Sequence, residues 1–145
     1  MSKIIFRLLS LLVAIAVLVG ISIQFIPYGR NHQNPPVVQE PNWANAETRA
    51  LAKRACFDCH SNETTWPWYS NIAPVSWLVY RDVEEGRANM NFSEWSGDME
   101  PDEIAEIVSM GRMPLPQYLL LHPDAKFSAE EMAVFIDGMK KTLAK

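Results

Sequence analysis

Cysteine is nearly absent: the chain has two, both inside the string Cys56-Phe57-Asp58-Cys59-His60. That count excludes a small exported scaffold stapled by several disulfides. Positive charge is also in short supply, 13 Lys and Arg against 17 Asp and Glu. No basic stripe with interleaved aromatics occurs, so no nucleic-acid partner is expected. Strand-like alternation of useful length is missing, which makes the expected fold class all-α. Paired carboxylates at catalytic spacing and nucleophile–base strings are missing too. Asp102, Glu103 and Glu106 fit the negative start of a helix better than an acid–base site.

One long apolar run stands out at the N-terminus. Leu8 to Ile26 spans 19 residues and is polar only at Ser10, Gly20, Ser22 and Gln24. At about 1.5 Å per residue this just crosses a hydrocarbon core of about 30 Å. Lys3 and Arg7 lie on its N-terminal side, so that end stays cytoplasmic and the rest is exported. A cleaved signal peptide wants a shorter core and a small-x-small site, and Ile26-Pro27-Tyr28-Gly29-Arg30 offers a poor one. A buried helix of a soluble core would leave the flanking charges unexplained. The expected organisation is an anchor over 1–27, a proline-rich linker over 28–43 and a domain over 44–145. Removing Lys3 and Arg7 leaves 11 basic against 17 acidic residues, an acidic exported part suited to basic partners.

The string Cys56-x-x-Cys59-His60 is the attachment signature of c-type haem. On a helix, positions i and i+3 share a face, so both sulfurs reach one porphyrin edge. The next histidine then projects under the ring as an axial iron ligand. Its other ring nitrogen is expected to donate to a carbonyl or polar group. A Cys56–Cys59 disulfide would not require His60. A thioredoxin-like pair would want a βαβ pattern, and none is visible. A zinc site built with His60 and His122 matches no zinc spacing.

For the distal iron ligand the candidate is Met113, in Gly111-Arg112-Met113-Pro114-Leu115-Pro116, where the prolines hold an extended loop. The alternatives are His122 and five-coordinate iron, with Met113 then a packed core methionine. Arg54, Arg81 and Arg87 are candidate partners of haem propionates. Trp66-Pro67-Trp68-Tyr69 is either a wedge under a loop or a cover for the porphyrin, and the 89–95 loop is a second candidate cover. His32, in the linker, reads as solvated. The sequons at Asn62 and Asn91 are discounted.

Four helices are expected in the domain: Ala44 to Cys59, Pro74 to Gly86, Pro101 to Met110, and one capped by Ser128. Expected apolar stripes are Ala44, Leu51 and Ala55; Val75, Leu78, Val79 and Val83; Ile104, Ile107 and Val108; and Met132, Phe135, Ile136 and Met139.

The stretches CFDCHSNETTWPWYSNIAPVSWLVYRDVEEGR, NFSEW and GRMPLPQYLLLHPDAKFSAEE resemble the bacterial haem-binding domain family of small mono-haem c-type proteins. The likeness runs from about Asn42 to the C-terminus. It implies a cytochrome c-like helical domain around one covalent haem c, with Cys56 and Cys59 as thioether residues and His60 as proximal ligand. Met113 then stands where class I cytochromes c present a methionine. The resemblance fits a single-pass protein of the bacterial inner membrane with its haem domain facing the periplasm. One-electron transfer between redox partner proteins is the leading expectation, so the chain reads more as an electron carrier than a catalyst. A haem-based sensor or gas-binding module and a peroxidase-type haem enzyme are the alternatives.

Overall fold

The structure, a computed structural model, describes residues 3–97 and 99–144. Every regular element among the described residues is helical, with a lone bridge between Gln39 and Glu94. The all-α expectation therefore holds. The described residues divide into two compact units, 3–32 with 66–82, and the remainder.

In the first unit, α1 (Lys3–Ser22) continues into a 3-10 turn at Ile23–Phe25. No residue of α1 is buried. It is long and apolar enough to cross a membrane. The unit also holds a 3-10 turn at Trp68–Asn71 and the first half of α4 (Val75–Asn89). His32 is not simply solvated: its ring stacks on Trp66 at 4.5 Å and its Nε2 lies 3.1 Å from the Ser70 carbonyl.

The second unit carries the core. Its elements are α2 (Ala46–Ala55), α3 (Phe57–His60), the end of α4, α5 (Pro101–Ser109), α6 (Pro116–Leu119) and α7 (Ala129–Leu143). The helix expected from Ala44 to Cys59 is two helices. Asn45 starts α2 by accepting from the Thr48 amide at 2.8 Å. Cys56 then breaks the helix at φ −125°, ψ −32°, and α3 restarts behind it. The helix expected to end at Gly86 runs on to Asn89. Its buried face also differs: Ser76, Val83 and Gly86 are buried, whereas Val75 and Leu78 are exposed. On α7 the buried positions are Phe135, Gly138, Met139 and Thr142, a stripe turned slightly from the expected one.

The ends of these helices follow their residue types. After α5, Gly111 takes φ 66°, and Gly111 and Arg112 donate to the Val108 and Ile107 carbonyls at 3.0 Å each. This pair of bonds satisfies the last carbonyls and turns the chain toward Met113. At α7, Ser128 Oγ accepts from the Glu131 amide while Glu131 Oε2 accepts from the Ser128 amide. The expected capping box is present. Glu131 also pairs with Arg54 at 2.7 Å, and that hydrogen bond, first among several, holds its carboxyl at about 2.

The core joins α2, α5 and α7 through Leu51, Ala52, Ile104, Val108, Phe135 and Met139, with Phe57 and Phe92 stacked at 5.5 Å. Ser128→Ala removes one arm of the cap and is expected to cost about 1 kcal/mol. Urea unfolding should show a lower midpoint with an unchanged slope.

Candidate functional site

The break at Cys56 shapes the cysteine–histidine segment. Cys56 keeps its carbonyl available to the amides of Cys59 (3.1 Å) and His60 (2.8 Å), so the motif is one tight turn of helix. That turn is fastened on several sides. Ser61 Oγ donates back to the Phe57 carbonyl at 2.8 Å. Asp58 accepts from the Tyr118 hydroxyl at 2.8 Å and from the Thr65 amide at 2.9 Å. Arg87 of α4 donates to the Ser61 carbonyl at 2.8 Å. Gly86, one residue earlier, packs so close that a Cβ there would collide with the Cys59 carbonyl.

The 89–95 loop clasps His60 from another direction. His60 Nδ1 lies 3.1 Å from the Met90 carbonyl, and the Phe92 amide donates to the His60 carbonyl at 2.8 Å. Donation from Nδ1–H leaves Nε2 with its lone pair, the form that binds a metal. Burial lowers the His60 pKa from its ordinary value, against an opposing pull from the Met90 and Gly86 carbonyls. The imidazole is thus kept neutral. The loop itself is pinned by a polar knot. Asn91 Nδ2 donates to Asn62 Oδ1 at 2.9 Å, Ser93 Oγ accepts from the Asn62 amide at 2.9 Å, and Asn91 Oδ1 accepts from the Ser93 amide at 2.9 Å. Asn62 and Ser93 are buried. Both sequon asparagines are thus structural.

Beside this histidine lies a cavity of about 570 Å³. This falls within the range of small-molecule and cofactor sites. Cys56 and His60 line it, as do Met90, Phe92, Ile104, Val108 and Phe135. Met113 lines the same cavity, carried there by the turn after α5. Cys59 does not line it, but lies near enough to influence Cys56. Burial first, then the charge of Cys59, pushes the Cys56 thiol up to about 12. Neither cysteine is in a disulfide. His122 is placed elsewhere: its ring stacks on Tyr118 at 4.0 Å and its Nδ1 lies 3.2 Å from the Tyr118 carbonyl.

The three expected propionate partners are occupied differently. Arg54 pairs with Glu131, Arg81 with Asp82 at 3.1 Å, and Arg87 serves Ser61, Thr64 and Asn34. Arg112, passed over in the sequence, is the arginine that lines the cavity. Its position next to Met113 in the Gly-Arg-Met-Pro string was the available signal. Trp66, Trp68 and Tyr69 belong to the first unit, and Trp68 is 76% exposed. The 89–95 loop, by contrast, supplies Asn89 to Phe92 and Trp95 to the lining. Among the described residues no group of three or more His, Cys, Asp or Glu could hold a bare metal ion. The lining fits a planar apolar cofactor better: one thiol, one neutral imidazole, one thioether and an aromatic wall.

Gly86→Ala is expected to displace the Cys59–His60 turn and sharply reduce the fraction of chain recovered with haem, read by absorbance after purification. A pH consequence follows from His60. Below its ordinary value of 6.5 the unfolded chain takes up a proton that folded His60 refuses. Haem-free protein should therefore lose stability as pH falls from there toward the depressed native value. His60→Gln should flatten that part of the profile.

No curated protein and no solved structure matches this chain. A family model described as a haem-binding domain matches residues 18–141. With the match running from inside the apolar N-terminal stretch into the last helix, the chain belongs to the haem-binding domain family.

Proposed function

We infer that this protein is a membrane-anchored mono-haem c-type cytochrome that passes single electrons on the periplasmic side of a bacterial inner membrane. The observation that carries this reading is the cavity lined at once by Cys56, His60 and Met113. Bound there, haem would supply a one-electron iron couple. Cys56 and Cys59 would hold it as thioethers, and His60 Nε2, freed by the bond from Nδ1 to Met90, would ligate the iron. Met113 would fill the sixth position, a soft ligand that raises the potential. Arg112 would meet the propionates in place of the three arginines engaged elsewhere.

The buried aromatic and aliphatic wall excludes water, and Glu103, the acidic residue of the lining, is exposed. Phe92 and Phe135 are almost fully buried, and Ile104 and Val108 nearly so. A dry, low-dielectric wall limits solvent reorganisation around a charge change and tunes the potential. His122, the only histidine with a claim to distal acid–base chemistry, is held on Tyr118. α1, with Lys3 and Arg7 at its N-terminal end, would cross the inner membrane once with that end in the cytoplasm. The acidic surface of the rest suits basic redox partner proteins.

Material from a host able to mature c-type cytochromes tests the attachment. The denatured chain should keep the mass of one haem, and lose it when Cys56 and Cys59 are both changed to Ala. A denatured wild-type chain without added mass overturns covalent attachment. Met113→Ala should turn a low-spin spectrum into one that binds carbon monoxide readily, with a lower reduction potential. An unchanged spectrum rules out Met113 as ligand, and a wild type that already binds carbon monoxide would point to a sensor or peroxidase instead.

A further inference from the structure

The geometry points to a second membrane contact: the apolar edge at Ile72, Val75 and Leu78, with Trp68, rests on the outer lipid boundary of the bilayer that α1 crosses. This rests on the reading above that α1 spans the membrane. Ile72, Val75, Leu78 and Trp68 are large apolar side chains left 46%, 38%, 52% and 76% exposed. Large apolar side chains left exposed close together in sequence point to a protein or lipid contact.

Lipid is favoured because the same unit ties this edge to the end of α1. Gln24 Nε2 donates to the Ala73 carbonyl at 2.9 Å and Gln24 Oε1 accepts from the Ala73 amide at 3.0 Å. Lys3 to Phe25 measures about 34 Å at 1.5 Å per residue, against about 30 Å of hydrocarbon. Gln24 thus falls at the outer boundary, and Ala73, flanked by Ile72 and close to Val75, falls there with it. Tyr28 meets Tyr80 edge-on at 5.4 Å, extending the attachment along α4.

Composition supplies an independent argument. Residues 66–82 contain five of the nine Trp and Tyr residues, the types that gather at membrane–water boundaries. Of the 17 acidic residues only Asp82 lies within 1–32 or 66–82. This unit can approach anionic headgroups without the repulsion that the remaining sixteen would meet.

The test uses the full-length haem-loaded protein in nanodiscs of phosphatidylethanolamine and phosphatidylglycerol carrying a photoactivatable group at the acyl-chain head. Mass spectrometry should find lipid adducts on both α1 and the 66–82 peptide. Changing Ile72 and Leu78 together to Asp should cut the 66–82 adducts roughly tenfold and leave those on α1 unchanged. Adducts on α1 alone overturn the second contact while the spanning helix stands. Adducts on neither segment overturn both readings.

Discussion

Holding one imidazole in one tautomer and one orientation is the demand around which the second unit is arranged. The bond from His60 Nδ1 to the Met90 carbonyl meets it, but only if a loop thirty residues away stays in register. That register comes from the Asn62, Asn91 and Ser93 bonds, each polar group satisfied by another. The opposite flank depends on Gly86, whose missing side chain lets α4 lie against the Cys59 backbone. An imidazole held this way would lose little freedom on binding a metal, because the surroundings have already removed it.

Core and cavity are not separate parts. Ala55, Phe92, Ile104, Val108, Phe127 and Phe135 belong to both. Protein interiors gain dispersion energy from close packing, and a cavity forfeits it along its walls. A cofactor seated there would therefore complete the packing of α2, α5 and α7 as well as serve the chemistry. Ligand occupancy and fold stability are linked through the same side chains.

Elements governed by local chemistry were legible in the sequence. Ser128 with Glu131 marked the start of α7, Gly111 marked the end of α5, and the apolar N-terminal run marked α1. The cysteine–histidine string marked part of the cavity wall, through Cys56 and His60. What could not be read depended on contacts distant in sequence. Nothing local to Cys56 announces that the helix breaks there, since the gain lies in the bonds made by its carbonyl and by Asp58. Val75 and Leu78 have the spacing of a core stripe, yet α4 buries Ser76, Val83 and Gly86. Periodicity identifies a helix but does not say which of two partly apolar faces finds a neighbour. Arg54, Arg81 and Arg87 are engaged with other partners, and the turn after Gly111 brings Arg112 to the cavity.

The two bonds between Gln24 and Ala73 bear on how the polypeptide is processed. A peptidase cutting beyond Gln24 would strip Ala73 of the donor and acceptor that complete its peptide groups, and would take α1 with them. An orphaned buried amide and carbonyl are each costly. The end of α1 is thus a keystone of its own unit, and losing it would loosen the turn around Ala73.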